Sequence, residues 1–310
     1  MNTDTLYEQA SRTIATGSRS FAAASRLMDT RTRESTVLLY TWCRHCDDVV
    51  DGQTLGHGQR FAGATDGASR LRQLQELTRA ACEGEPVWDP VFQGLAQVVQ
   101  RHDVPASLPQ EHLAGFAMDV HGTQYRNLDD LLLYCWRVAG VVGVMMARVM
   151  GAERPETLDR ACDLGMAFQL TNIARDVLED AAIGRVYLPA DWLAEEGIHG
   201  LEGVLDPDKR DGIARVAARL VAEAEPYYRS ARAGIADLPM RCAWSIATAR
   251  DVYRAIGRKV VSKGASAWDH RIATSAVEKL WFVARGAGVA LAASHVPTAP
   301  RPPHLFRRPL

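Results

Sequence analysis

A helix-forming stretch near the middle of the chain, FQLTNIARDVLED at residues 168–180, constrains the fold more than any other segment. Four oxygen-bearing side chains recur in it at steps of three, four and four residues, which places them on one stripe of a helix. They are Gln169, Asn172, Asp176 and Asp180. Most of the remaining positions are apolar, so we expect this helix to be deeply buried.

Carboxylates are crowded at the C-terminal end of this predicted helix, where Glu179 adjoins Asp180. The helix dipole is negative at that end, and carboxylates there are unfavourable unless something positive lies against them. A divalent cation bound through oxygen atoms, Mg²⁺ or Mn²⁺, meets this requirement.

Helical periodicity of apolar residues extends along nearly the whole chain, whereas strand-like alternation is essentially absent. Helices are predicted at 4–16, 19–28, 31–51, 68–83, 91–102, 107–121, 128–150, 155–182, 206–229, 239–263 and 274–293. No repeat or shift in composition divides them, so we predict one all-α domain at 1–295. The Pro/Arg-rich tail, 296–310, is expected to be disordered or packed on the surface, and its arginines would also suit an anionic membrane.

Composition narrows the possible functions. The 310 residues carry a net charge of −1, so no global positive field is available to bind nucleic acid. Six cysteines lie in apolar contexts with no secretory signal before them, which predicts reduced thiols in a cytoplasmic protein. Cys43 and Cys46 form a C-x-x-C, but no second pair follows at zinc-site spacing. The most hydrophobic run, 138–147, is too short for a membrane span and is interpreted as a core helix.

A second acidic cluster ends the predicted helix at 31–51, in the sequence YTWCRHCDDVVD. Its carboxylates recur at steps of three and four residues, and a tyrosine and an arginine continue the same face upstream. These residues are Tyr40, Arg44, Asp47, Asp48 and Asp51. One such cluster could be a solvated helix end. Two such clusters on apolar helices predict a negatively charged pocket in which metal ions bridge to phosphate oxygens. Each cluster has an arginine nearby, Arg44 or Arg175, that could bind the phosphate group.

Di-iron bundles also bind metal through helical carboxylates, but they need Glu-x-x-His pairs on two helices. Only Glu196 and His199 show that spacing, and Gly197 and Gly200 place them in a loop. A weaker candidate is GSRSF at residues 17–21, a possible anion site at a helix N-terminus, although a simple N-cap would also account for one of its serines.

These segments resemble the signature motifs of the squalene and phytoene synthases. The sequences at 40–51 and 167–189 resemble the two aspartate-rich motifs of that family, and YCWRVAGVVGVMMARVM at 134–150 resembles its third signature. GSRSF resembles its N-terminal Ser-x-Ser-Phe element. The resemblance implies an all-α isoprenoid-synthase fold, a helical bundle around a central cavity.

The resemblance also implies roles for individual residues. The metal–diphosphate cluster would be bound by Asp47, Asp48, Asp51, Asp176 and Asp180, with Asn172 as a further metal ligand. Its supporting residues would be Tyr40, Arg44, Gln169, Arg175, Arg185 and Tyr187. The substrate-binding set would be completed by Ser18, Ser20 and Phe21 and, where the spacing matches less closely, by Tyr253 and Arg271. The helix at 134–150, with its small residues and methionines, would line the prenyl chain.

The phytoene-forming branch of the family implies head-to-head condensation of two geranylgeranyl diphosphates through prephytoene diphosphate to phytoene, for carotenoid biosynthesis. This reaction needs Mg²⁺ or Mn²⁺ and no NADPH. Squalene synthase, which adds hydride from NADPH, is one alternative, but the chain has no Gly-x-Gly-x-x-Gly loop. A second alternative is dehydrosqualene synthesis from farnesyl diphosphate. A third is a non-catalytic relative that acts as an assembly factor, although such a protein should have lost carboxylates from one acidic cluster. We expect prenyl diphosphate substrates and a cytoplasmic location, with or without peripheral membrane contact.

Overall fold

The computed structural model describes residues 6–8, 10, 25–52, 64–293 and 299–309, and among these it contains helices and no strand. The all-α class predicted from the sequence is therefore confirmed. The helices are α1 (Thr30–Asp51), α2 (Ala64–Glu83), α3 (Pro90–His102), α4 (Ser107–Val120), α5 (Leu128–Cys135), α6 (Val141–Val149), α7 (Pro155–Ala182), α8 (Ala190–Glu195), α9 (Gly200–Leu205), α10 (Arg210–Gly234), α11 (Met240–Lys263) and α12 (Ala276–Ala292).

Local caps fix the start of several helices. Asp29 accepts a hydrogen bond from the Thr32 amide at 3.0 Å at the start of α1, and Asn127 accepts one from the Asp130 amide at the start of α5. Gly52 caps the C-terminal end of α1, and its φ of 62° is left-handed and suits glycine. The acidic end of α1 is therefore a defined helix terminus.

The observed helices differ from the predicted ones at several points. α2 begins at Ala64, four residues before the predicted start at 68. α8 and α9 were not predicted, because six residues are too few to show a helical period. α10 continues five residues beyond the predicted end at 229, since Gly234 lets it pack closely on Arg160 of α7. The predicted helices at 4–16 and 19–28 lie largely outside the described residues.

α7 is the central helix of the bundle, packed against α6, α10 and α11. Met166, Leu170 and Ile173 on its apolar faces are at most 2% exposed. The deep burial predicted from its sequence is observed, and this burial holds the polar stripe in a fixed position among the surrounding helices.

α5 and α6 form one continuous helix with a wider π-helical turn, Trp136–Gly140, between them. This turn, which the sequence did not predict, brings the backbone against α7. A Cβ atom on Gly165 would lie 2.2 Å from the Ala139 carbonyl oxygen, and one on Gly143 would lie 2.3 Å from the Ala161 carbonyl oxygen. These glycines therefore serve close helix–helix approach.

In the described part of the chain, Leu128–Val149 is the one helical stretch whose length and apolar composition would allow it to cross a membrane. However, 56% of its most apolar window is buried inside the protein, between α4 and α7. This burial supports its interpretation as a core helix.

The described part of the tail, 299–309, packs on α7 and α10. Arg301 donates to both carboxylate oxygens of buried Asp163 at 2.7 and 2.9 Å, and Leu305 is 3% exposed. The Phe306 amide donates to the Tyr227 hydroxyl at 3.1 Å. Of the two expected states of the tail, the structure has the packed one.

Candidate active site

The bundle encloses a cavity of about 680 Å³ between α1, α5–α6, α7 and α11. Residues from Thr157 to Arg175 of α7 border it, a length of about 27 Å at 1.5 Å per residue. Its wall is mainly apolar near the N-terminal part of α7, where Met146 and Met150 contribute. It becomes polar toward the C-terminal ends of α1 and α7, where the two acidic clusters lie.

The structure brings the two predicted clusters together at this polar end. Eight of the predicted site residues border the cavity: Tyr40, Arg44, Asp47, Gln169, Asn172, Arg175, Tyr253 and Arg271. Six others do not border it but belong to the adjoining network of polar side chains: Asp48, Asp51, Asp176, Asp180, Arg185 and Tyr187. The remaining three, Ser18, Ser20 and Phe21, lie outside the described residues.

In the first cluster, Arg44 is held between two carboxylates of its own helix, at 3.0 Å from Asp47 and 3.2 Å from Asp48. Burial raises the pKa of Asp47 to about 7, and the nearby Asp51 carboxylate adds to the increase. Arg44 thus only partly compensates the negative charge at the end of α1.

In the second cluster, Arg175 donates from Nε to Asp176 Oδ1 at 2.7 Å. Arg271 lies 3.8 Å from Asp176 and 3.1 Å from Glu179, which is 54% exposed and lies at the outer edge of the site. Burial raises the pKa of Asp180 to about 8, with the neighbouring Asp176 carboxylate as the second cause.

The two clusters are joined by Arg185 and by Asp119. Arg185, in the loop after α7, binds Asp51 at the end of α1, with Nη1 at 3.1 Å. Asp119, near the end of α4, accepts hydrogen bonds from the hydroxyls of Tyr134 at 3.0 Å and Tyr187 at 2.9 Å. Burial raises the pKa of Asp119 to about 6 despite these partners.

Asp119 was missed in the sequence, although a signal for it was present. It lies in the last turn of a predicted helix, at the same unfavourable end where the other two acidic groups first indicated a positive ligand. Tyr134, which also borders the cavity, was part of a recognised motif but was not selected as a site residue.

The oxygen donors at this end of the cavity suit a hard divalent cation. In the described part of the chain, no three Asp, Glu, His or Cys side chains are already arranged to hold a metal ion. Arginines bind carboxylate oxygens in both clusters. Asn172 Oδ1, which borders the cavity, is buried with no hydrogen-bond partner. That buried oxygen without a donor and the buried carboxylates of Asp47 and Asp180, whose pKa values are raised, are groups that a cation would stabilise.

Asp180 should make the metal-free protein less stable at high pH. A carboxyl whose folded-state pKa is raised contributes stability that is complete below its unfolded pKa, near 4, and is lost as the pH rises through the folded value of about 8. Asp180→Asn removes that loss. In EDTA, we expect the free energy of unfolding of the variant to rise relative to wild type from about pH 5 to about pH 9. Urea titrations at each pH test this, and parallel curves for the two proteins would contradict it.

The six cysteines all lie in the described part of the chain, and none forms a disulfide. Cys46 is buried in the core, and burial raises the pKa of both Cys43 and Cys46. This environment disfavours the thiolate that metal binding or redox chemistry would need.

Comparisons with known proteins show which family the chain belongs to. The squalene/phytoene synthase family matches the chain over residues 14–278. The 15-cis-phytoene synthase of Pantoea ananas is 52% identical over 310 residues, all of both chains, and the phytoene synthase of Pseudescherichia vulneris is 50% identical over the same extent. The chain belongs to the squalene/phytoene synthase family.

Solved structures agree with this membership. A dehydrosqualene synthase crystallised with a ligand has a TM-score of 0.82 and 25% identity, and the alignment covers 94% of this chain and 98% of that one. A squalene synthase, HpnC from Alicyclobacillus acidocaldarius, has the same fold with a TM-score of 0.74 at 24% identity, over 84% of this chain and 95% of that one. The predicted isoprenoid-synthase fold is confirmed. The family match and the full-length phytoene synthase relatives confirm the assignment of the protein as a prenyltransferase enzyme.

Asp119 should matter for turnover in a squalene/phytoene synthase built in this way. Asp119→Asn keeps the shape of the side chain but removes the charge that orients the hydroxyls of Tyr134 and Tyr187. We expect a loss of about 10- to 100-fold in kcat/KM, in the range observed for residues that orient metal and substrate ligands. Steady-state diphosphate release from a prenyl diphosphate measures it. Asp129→Asn, at an exposed position on α5, is the matched control, and equal kcat/KM in both variants would contradict the prediction.

Proposed function

We propose that the protein condenses two molecules of geranylgeranyl diphosphate head to head, through prephytoene diphosphate, to phytoene, and releases diphosphate, as a step of carotenoid biosynthesis. The observation that carries this proposal is the 52% identity, over the full length of both chains, to a 15-cis-phytoene synthase. The cavity supports it, because one end is apolar and the other is lined with arginines and carboxylates.

The arginines of the polar end would bind the diphosphate group. Arg44, Arg175 and Arg271 all border the cavity, and each is within 4 Å of at least one carboxylate. A diphosphate offers these guanidinium groups a denser negative charge and bidentate hydrogen bonding. We propose that substrate binding draws the arginines from the carboxylates and so frees carboxylate oxygens at the edge of the cavity.

Those freed oxygens would hold Mg²⁺ or Mn²⁺. The ligands we propose are Asp47, Asp48, Asp51, Asn172, Asp176 and Asp180. Such an ion supplies positive charge that stabilises a diphosphate leaving group. Arginines would thus offset part of the negative charge before substrate binds, and metal ions would offset it afterwards.

The protein's own contribution to ionisation is charge placement and exclusion of water. Arginines aimed at the leaving group stabilise the charge that develops as the allylic carbon–oxygen bond breaks. The aromatic rings of Phe168 and Tyr253 border the cavity and stack on each other with centroids 4.2 Å apart. A ring face lying near the allylic carbon would stabilise a carbocation there. The apolar wall beyond them keeps water from quenching the cation before the second substrate attacks.

The remaining steps belong to the substrate. The double bond of the second prenyl diphosphate attacks the cation, and loss of a proton closes a cyclopropane ring to give prephytoene diphosphate. Its diphosphate leaves in turn, the cation rearranges, and a second proton loss gives phytoene. No hydride donor enters this sequence, so NADPH is not needed.

Product analysis tests the proposal. The protein is incubated with geranylgeranyl diphosphate or farnesyl diphosphate, with Mg²⁺, Mn²⁺ or EDTA, and with or without NADPH, and the hydrocarbons are identified by mass spectrometry. We expect phytoene from geranylgeranyl diphosphate with either metal, none in EDTA, and no effect of NADPH. A thirty-carbon product alone would favour dehydrosqualene synthesis, the activity named for the solved structure with a TM-score of 0.82. Squalene formed only with NADPH, without phytoene, would overturn the proposal.

For location, we propose a cytoplasmic enzyme that makes peripheral contact with a membrane. The substrate has a long apolar chain and the product is a pure hydrocarbon, so both partition into lipid. The packed tail offers little support for such contact, because Arg301 and Arg308 are bound to Asp163 and Asp159.

A further inference from the structure

The outer face of α12 carries a continuous apolar stripe that no described part of the chain covers. Val277, Leu280, Trp281 and Leu291 are 64–76% exposed, and Ala284 and Gly288 between them are exposed as well. At about 100° per residue these six positions fall within an arc of about 100° on one side of the helix. Exposed apolar residues scattered singly are ordinary, but a stripe along a whole helix is not.

Charges around this stripe favour an anionic partner. No position within the arc is charged. Of the two cations of the helix, Lys279 lies on the cavity side. Arg285 is 41% exposed beside the stripe and shares the buried Asp251 carboxylate with Arg250, at 3.0 and 2.7 Å, so two guanidinium groups meet one carboxylate there. The single carboxylate of α12, Glu278, is bound by Lys259 at 2.7 Å and by its own capping box, so it leaves little negative charge on this side.

The stripe also lies close to the cavity. Lys279 and Val283, on the other side of α12, border the cavity that holds the predicted site. A surface pressed against the stripe would therefore lie about one helix diameter, about 10 Å, from the cavity wall.

We propose that the apolar stripe of α12 docks the enzyme on an anionic lipid bilayer, with the helix lying in the plane of the interface. In that position the apolar face of the helix lies at the boundary of the acyl chains, and its cations lie at the level of the headgroups. This proposal rests on the proposed function for its purpose, because a bilayer is the phase that dissolves the apolar chain of the substrate and the hydrocarbon product. A second copy of this chain is the alternative occupant of the face.

Vesicle co-sedimentation of the full chain tests the docking. The probes are vesicles of phosphatidylethanolamine with phosphatidylglycerol, and vesicles of neutral phosphatidylcholine. We expect wild type to sediment with the anionic vesicles. The double variant Leu280→Glu with Trp281→Glu should lose at least about tenfold in partition coefficient, since two apolar side chains leave the interface. Both positions are exposed, so circular dichroism and the unfolding midpoint should stay at the wild-type values.

The matched control is Trp88→Glu compared with Trp281→Glu alone. Trp88 is 88% exposed but lies before α3, away from the stripe, so its variant should bind vesicles as wild type does. Wild type that stays in the supernatant, or a Trp281→Glu variant that sediments as well as wild type, overturns the docking. Equal binding to neutral vesicles overturns the assignment of an anionic surface. A wild-type dimer that Trp281→Glu dissociates, measured by light scattering, assigns the face to a second copy instead.

A detergent assay separates this proposal from the proposed function. Leu280 and Trp281 do not border the cavity, so the double variant should turn over detergent-dispersed geranylgeranyl diphosphate at the wild-type rate. Vesicle binding without phytoene synthesis in detergent would contradict the proposed function and leave the docking intact. Phytoene synthesis without vesicle binding would contradict the docking and leave the proposed function intact.

Discussion

Asp176→Asn is expected to reduce product formation by at least about a hundredfold while the fold is retained. Asp176 lies on the buried stripe of α7 and holds Arg175 at the cavity edge, with Nε at 2.7 Å. Asparagine has the same shape, but it supplies neither the charge that a metal ion needs nor a strong partner for Arg175. Losing one group that stabilises charge in a transition state typically costs about 10²- to 10³-fold in rate. The measurement is phytoene formed per minute at saturating Mg²⁺, alongside the unfolding midpoint.

Glu179→Gln provides the matched control for that variant. Glu179 is also a carboxylate of α7 and also contacts Arg271, but it is 54% exposed and points off the stripe. We expect its turnover to stay within about threefold of wild type, as for other exposed ion pairs. Asp48→Asn, in the other cluster, should behave as Asp176→Asn does. Near-wild-type turnover in either aspartate variant would refute the two-sided site.

Gly165→Ala is expected to destabilise the protein by about 3 kcal/mol, well beyond the effect of most single substitutions. The added Cβ would lie 2.2 Å from the Ala139 carbonyl oxygen and 2.9 Å from the Gly140 Cα atom, and both are backbone atoms that cannot rotate away. α7 would have to separate from the π-helical turn between α5 and α6. Because both helices border the cavity, turnover should fall as well. Urea denaturation gives the free energy of unfolding.

Gly288→Ala is the control for that substitution. It makes the same change in the middle of α12, where an added Cβ meets nothing within 4 Å. Alanine has the higher helix propensity, so this variant should be stabilised by up to about 1 kcal/mol. If the two variants had equal free energies of unfolding, the close approach of α7 to the π-helical turn would not be a feature of the protein in solution.

The sequence predicted the elements of the site better than their connections. Helical spacing was enough to put Asn172 and Asp176 on one stripe, because neighbours within a helix are set by its period. Which groups meet across helices depends on tertiary packing, so the Arg185–Asp51 ion pair and the role of Asp119 between Tyr134 and Tyr187 came only from the structure. The serines of GSRSF remain sequence predictions.

The fold shows the same division. Long helices such as α7 and α11 were predicted close to their observed ends, since many turns contribute to the period. The π-helical turn at Trp136–Gly140 was not predicted, because one extra residue in a turn leaves the hydrophobic periodicity of the sequence almost unchanged. The exposed stripe of α12 was also missed, since an apolar helix face has the same sequence pattern whether it is buried or not.

The packing of residues 299–309 has a consequence for folding kinetics. Arg301 binds a carboxylate 138 positions earlier in the chain, and Arg308 binds one 149 positions earlier. Contacts over such separations form late, because closing a long loop costs more entropy than forming neighbouring helices. Until then Asp163, which is fully buried in the native state, lacks its main cation. We therefore expect α7 to assemble with its neighbouring helices first, in a partly folded intermediate. It should become rigid only in the last folding step, when residues 299–309 pack on it.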